Sequence, residues 1–184
     1  LEESIKHFNL EGIGKSPSKL DMERILSINE YYIKNLNEKE LYEKLKNYCQ
    51  LYKKKFDIKF EKNLINSISF LKNKAKKLED IYQNAQYIIN SDIKISDQDA
   101  KLLDKTSKQV LKDFLTNYEK MELLNKEELE KTIKKLIQAH KINFKGIGQP
   151  LRIALTGSKF GPGVYDIILS LEKKEVIKRL KMIN

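Results

Sequence analysis

Arg152 stands alone in an apolar run, Leu151 to Leu155, and glycines follow it at Gly157, Gly161 and Gly163. A single arginine in such a run either snorkels to the surface or is held toward a cleft. Gly161-Pro162-Gly163 then reads as the start of a new helix, with proline in or near its first turn. The free N–H groups of Gly163 and Val164 would face outward there, suited to a phosphate or a base edge. Glycine lets the backbone or base of another molecule come close, or simply lets two helices pack tightly. A second candidate is Lys72-Asn73-Lys74-Ala75-Lys76-Lys77, with four lysines in six residues and no acid. It reads either as a solvated helix end, where cations suit the dipole, or as a phosphate or base contact.

Other residue types offer less. Gly12-Ile13-Gly14-Lys15-Ser16 ends like a phosphate-binding loop, but Asn9 occupies the first glycine position and Pro17 follows where the helix should run. His7 and His140 are the only histidines, too far apart in sequence to suggest a metal pair. His140 lies on the core-facing side of its helix, as a structural histidine would. Cys49, the sole cysteine, falls on an apolar stripe and reads as a buried thiol. No catalytic constellation, metal site or cofactor site emerges.

The elements that must position these residues are helices. Ser18 to Lys145 contains neither glycine nor proline and is rich in Leu, Lys and Glu. Apolar residues recur at helical spacing. Met22, Ile25, Leu26, Asn29, Tyr32, Ile33 and Leu36 share one face, and Leu41, Leu45, Tyr48, Cys49 and Tyr52 another. A third series runs from Leu64 through Ile65, Ile68, Leu71 and Ala75 to Leu78, with Ile81, Tyr82, Ala85 and Ile88 continuing or following it. Asp97 precedes a helix holding Leu103, Val110, Leu111, Phe114, Leu115 and Tyr118. Asn125, with Glu128 three residues later, caps a helix carrying Leu129, Ile133, Leu136, Ile137 and His140. Only Ile93-Lys94-Ile95 alternates at period two, and it is too short for a strand. The expected fold is all-α, with two consecutive helical subdomains meeting near Asp92–Asp97.

The chain has 184 residues, 36 Lys and Arg against 26 Asp and Glu, and a net charge of +10. That excess, spread over many segments, points to a polyanion, nucleic acid before membrane. With no signal peptide and no run of 18 apolar residues, the sequence reads as cytoplasmic. It begins with Leu, so it reads as a piece of something longer.

These stretches together resemble the C-terminal part of bacterial glutamyl-tRNA synthetases, class I aminoacyl-tRNA synthetases. Phe8-Asn9-Leu10-Glu11, Gly14-Lys15-Ser16-Pro17 and Asp21-Met22-Glu23-Arg24-Ile25-Leu26-Ser27-Ile28-Asn29 resemble the segment just after the catalytic domain. Lys72 to Leu78 resembles the helix that meets the anticodon. Gln149 to Gly157 with Gly161-Pro162-Gly163 and Ile167 resembles the last recognisable block. The motifs of the family's catalytic half, of the His-Ile-Gly-His and Lys-Met-Ser-Lys-Ser types, do not occur here.

The resemblance implies a connector at 1–20, a first helical anticodon-binding subdomain at 21–95 and a second at 96–184. It implies a monomer that binds tRNA-Glu, with tRNA-Gln an open alternative, and does not catalyse alone. ATP and Mg²⁺ would belong to the missing half. Arg152 matches an arginine that contacts an anticodon base, and Gly161, Pro162, Gly163 and Val164 match a turn whose backbone and apolar side chain receive bases. Lys74 matches a position, usually Arg, that reads the third anticodon base. Lysine keeps the charge but loses the planar fork, so weaker discrimination of C from G is expected. Arg24, Ser27 and Lys72 match further tRNA contacts; Ser27 replaces a frequent Trp and removes a stacking contact. Two readings compete with this one, a helical protein-interaction module and a nonspecific basic nucleic-acid binder.

Overall fold

Side-chain caps set six of the twelve α-helix starts among the described residues. In a computed structural model, which describes residues 2–11, 20–55, 60–90 and 92–183, the chain is all-α. Helix α1 is Glu2–His7 and buries nothing. Asp21 accepts from Arg24 N to open α2, Met22–Asn35, and Asn37 accepts from Glu40 N to open α3, Glu38–Leu51. Then come α4, Glu61–Leu71, a 3-10 turn at Lys72–Lys74, α5, Leu78–Asn84, and α6, Gln86–Ile89. Ser96 caps α7, Asp97–Ala100, and Asp104 caps α8, Lys105–Glu119. Asn125 accepts from Glu128 N at 2.9 Å to open α9, Lys126–Ala139, and Asn143 caps α10, Phe144–Thr156. Helices α11, Val164–Ser170, and α12, Lys173–Lys181, complete the chain. Each such cap satisfies a backbone donor that the first helical turn leaves open.

Two details depart from the sequence expectations, and a third, the start of α11, agrees with them. The apolar series from Leu64 to Leu78 is not one helix. It stops at Leu71, because Asp80 Oδ2 accepts from Lys76 N at 2.8 Å and Lys77 N at 2.9 Å and so opens α5. Ala75 between them is extended and buried. Asp97 does not start the long helix; it opens the four-residue α7, Leu103 lies in the connection, and Asp104 caps α8. Pro162 precedes the first turn of α11, with Gly163 as the cap residue. The loop Gly12–Gly14 with Lys15 to Lys19 lies outside the described residues.

Helices α3, α4, α5 and α6 pack on one another, and α8, α9, α11 and α12 gather around α10. The two groups meet where α11 lies on α4 and α10 lies on α6. One cluster of buried side chains, from Ile33 to Leu180, spans both groups. Cys49 is buried within it, and burial pushes its thiol pKa up, as expected for an inert core cysteine. His140, half-buried at the end of α9, is paired with Asp113 Oδ2 at 2.9 Å. Helix α2 is amphipathic as expected, yet only Ile33 of it is buried, and it packs against the 3-10 turn. No described helix is long and apolar enough to cross a membrane.

Candidate nucleic-acid interface

The end of α10 sets the geometry of the glycine-bearing stretch. Gly157 terminates the helix in the left-handed region, φ 79°, donating to Ile153 O at 2.8 Å. A Cβ there would lie 2.6 Å from both Ile93 Cγ2 and the Lys94 carbonyl oxygen. Only glycine lets the segment at Ile93 and Lys94 come so close. That segment forms no strand, but it is what Gly157 packs against.

The loop from Gly157 to Gly163 is held at several points. Arg152 Nε donates to Pro162 O and its Nη1 to Lys159 O, both at 3.1 Å. Thr156 Oγ1 donates to Arg152 O at 2.9 Å and receives Ser158 N at 3.3 Å. Ser158 Oγ receives Phe160 N at 3.1 Å. The buried carboxylate of Asp99, on α7, accepts from Lys159 N at 3.3 Å and lies 3.7 Å from Lys159 Nζ. Arg152 is therefore held in the cleft rather than snorkelling out. Burial draws its pKa below the ordinary arginine value, and it remains charged at any working pH. Its Nη2 has no partner among the described residues.

This loop forms one wall of a cleft of about 510 Å³. Arg152, Gly161, Pro162 and Gly163 stand on that side, with Phe70 and Asn73 facing them from the end of α4 and the 3-10 turn, and Asn84 from α5. Asp166 brings one acidic group to the same cleft. The glycine-bearing stretch thus lines the cavity directly, while the lysine stretch, far away in the chain, reaches it through Asn73 alone. Gly161 has φ 137° and open space where a Cβ would stand. Val164 is different: its side chain is 3% exposed and belongs to the core, so only its backbone can meet a ligand.

The lysine run divides. Lys72 Nζ donates to Leu36 O at 2.8 Å and lies 3.8 Å from Glu38 Oε1, so its charge closes the junction between α2 and α3. Lys74 is the last residue of the 3-10 turn, which Ala75 N closes by donating to Lys72 O at 3.2 Å, while the Lys74 side chain lies outside the described residues. Arg24 and Ser27 are exposed on α2 and do not line the cleft. Their helix reaches the lysine turn through Asn29, whose Nδ2 donates to Lys76 O at 2.5 Å. Sequence reasoning missed Asn73, Asn84 and Phe160 as cleft residues and Asp99 as an anchor. Phe160 alone left a signal, an aromatic residue inside a polar, glycine-flanked turn.

The family described as "Anticodon binding domain" matches residues 39–183, which include both walls of this cleft. The chain belongs to the anticodon-binding domain family. It is 58% identical over 180 residues to the glutamate–tRNA ligase of Pelagibacter ubique (strain HTCC1062), covering 98% of this chain and 39% of that protein. It is 31% identical to the glutamate–tRNA ligase of Wigglesworthia glossinidia brevipalpis, over 99% of this chain and 38% of that protein. The chain therefore spans about two fifths of the length of these relatives. A crystal structure of a glutamate tRNA ligase from Elizabethkingia meningosepticum CCUG26117, in complex with its amino acid, shares the fold. Its TM-score is 0.80 at 18% identity, over 99% of this chain and 36% of that one. The cleft of this domain holds directional polar groups, the clamped Arg152 and the side chains of Asn73 and Asn84, together with a positive charge.

Proposed function

We propose that this chain is the tRNA-binding part of a glutamate–tRNA ligase and that its cleft receives anticodon bases of tRNA-Glu. The observation that carries this reading is the convergence of the Arg152-clamped loop and the Lys72–Lys74 turn on one cavity in a member of the anticodon-binding family. Anticodon bases splayed from the loop are read one at a time on their edges, the usual mode for single-stranded RNA. Arg152 serves twice, fixing the loop through two carbonyls and presenting Nη2 to a base. Lys74 reads the third base as a charge rather than a fork. The +10 net charge draws the phosphates in without selecting sequence.

Binding here would orient the tRNA so that its acceptor end reaches the catalytic part of the enzyme. Glutamate, ATP and Mg²⁺ would bind in that part, outside this chain, and the chain would act as a monomer. Whether tRNA-Gln is also accepted rests on the third base, where the two anticodons differ.

The test is binding of the chain to tRNA-Glu transcripts at moderate salt, with the native anticodon and with its third base changed to G. The native anticodon should win by several-fold, and Arg152→Ala should weaken it at least tenfold, about 1.4 kcal/mol. Equal binding of both transcripts, with Arg152→Ala no worse than the loss of any exposed lysine and affinity collapsing with salt, would make this a nonspecific polyanion surface.

A further inference from the structure

Phe160 is 74% exposed at the tip of a loop that is anything but loose. The hydrogen bonds from Arg152 to the carbonyls on either side of it, the Asp99 grip on Lys159 and the Ser158 Oγ contact to its own N–H fix the backbone that displays it. Lys159 Nζ stands 5.3 Å from the centre of its ring, and among the described residues no other aromatic ring meets it. Phe160 borders the main cleft and also a smaller cavity of about 190 Å³ beside Gln83 and Tyr87.

We propose that Phe160 is a stacking platform for one nucleobase of the anticodon loop, with Lys159 on one face of the ring and the base on the other. This rests on the tRNA-binding reading above and adds a contact to it. A large apolar ring held in water by an ordered loop gains little for the fold, since it buries almost nothing. A flat π-face beside a lysine fits an unstacked base better than an apolar peptide, because base and aromatic ring stack while Lys159 meets a flanking phosphate. Stacking ignores base identity, so Phe160 supplies affinity and position, leaving selection to the edge contacts of the cleft.

The chain contains no tryptophan, so Phe160→Trp introduces a single indole reporter. Titration with an anticodon stem-loop of tRNA-Glu should quench its emission while affinity is kept. Phe160→Ala and Phe160→Leu should each weaken binding by about 5- to 150-fold, the leucine failing because it keeps apolar area but no planar face. Against stem-loops with one nucleotide made abasic, position by position, the Phe160→Ala penalty should vanish at a single position. Since the ring is exposed, thermal unfolding of all three variants should match the parent. If the parent prefers the native anticodon but Phe160→Ala binds as tightly as the parent, or loses the same factor on every abasic loop, the stacking contact is overturned and the tRNA reading survives. If the parent shows no anticodon preference at all, the tRNA reading itself falls, and the contact with it.

Discussion

Gly157 shows how much one residue decides in this fold. Its positive φ is a conformation that costs an L-residue about 1–2 kcal/mol, and its missing side chain leaves room for Ile93 and the backbone of Lys94. Both effects oppose Gly157→Ala, and the Lys94 carbonyl cannot swing aside as a flexible side chain would. The variant should lose about 2 kcal/mol or more in urea denaturation; unchanged stability would mean that the 93–94 segment does not press on the helix end. Arg152 was legible as a lone polar residue in an apolar run, but its use was not. The sequence left snorkelling and clamping equally open, and only the position of the Lys159 and Pro162 carbonyls decides between them. Val164 was legible as apolar and was expected to meet a base, whereas the turn of α11 directs it into the core.

At the scale of elements, the junction of α3 and α5 carries a compact charged network. Glu79, on α5, accepts from Tyr48 of α3, from Gln83 Nε2 at 2.6 Å and from Lys54 Nζ at 2.8 Å. These donors, Lys54 foremost, hold its carboxyl down at about 2, below the ordinary 4.5. A lowered folded-state pKa gives stability that is present above pH 4.5 and is lost as pH falls toward 2. Glu79→Gln should therefore be less stable than the parent at pH 6, with the gap closing on acidification through that window. A gap that stays constant from pH 6 to 2 would show that the ionised carboxylate contributes nothing there. Helix starts were readable from Asn125 and its like, because a cap is a local bond between residues three apart. Helix ends were harder. Between Ser18 and Lys145 no glycine marks a stop, and α3 and α9 are instead followed by Lys53 at φ 50° and Lys141 at φ 54°, residues that give no such signal. The break after Leu71 was hidden for a related reason, since Asp80 acts on backbone groups and leaves the apolar period intact.

For the whole molecule, Arg179 is the buried cation that ties the two helical groups together, beside the contacts of Asn63 and Tyr87 with Ser170. It is 4% exposed on α12, donates to Tyr87 O at 2.9 Å, Leu155 O at 2.7 Å and Asn90 O at 3.2 Å, and pairs with Glu175 at 2.7 Å. Burial lowers its pKa, partly offset by Glu175. Tyr87 and Asn90 belong to the first group of helices and Leu155 to the second, so one guanidinium links the two walls of the cleft. Arg179→Met would strand three carbonyls and a carboxylate and should cost about 3–5 kcal/mol in urea denaturation, the range for breaking a buried pair; a loss under 1 kcal/mol would show that the walls hold together without it. In sequence Arg179 is merely one cation among several in the last turn of a basic helix. The sequence by itself determined the all-α class, most helix faces, the buried Cys49 and the glycine-bearing turn after Arg152, because helical period, caps and breakers act between near neighbours. Only the tertiary structure decided that Asn73 and Asn84 face that turn across the cleft, that Lys72 is spent on a helix junction, that Phe160 is displayed and that Arg179 is buried. Each of those depends on a partner tens of residues away, and no local pattern encodes it.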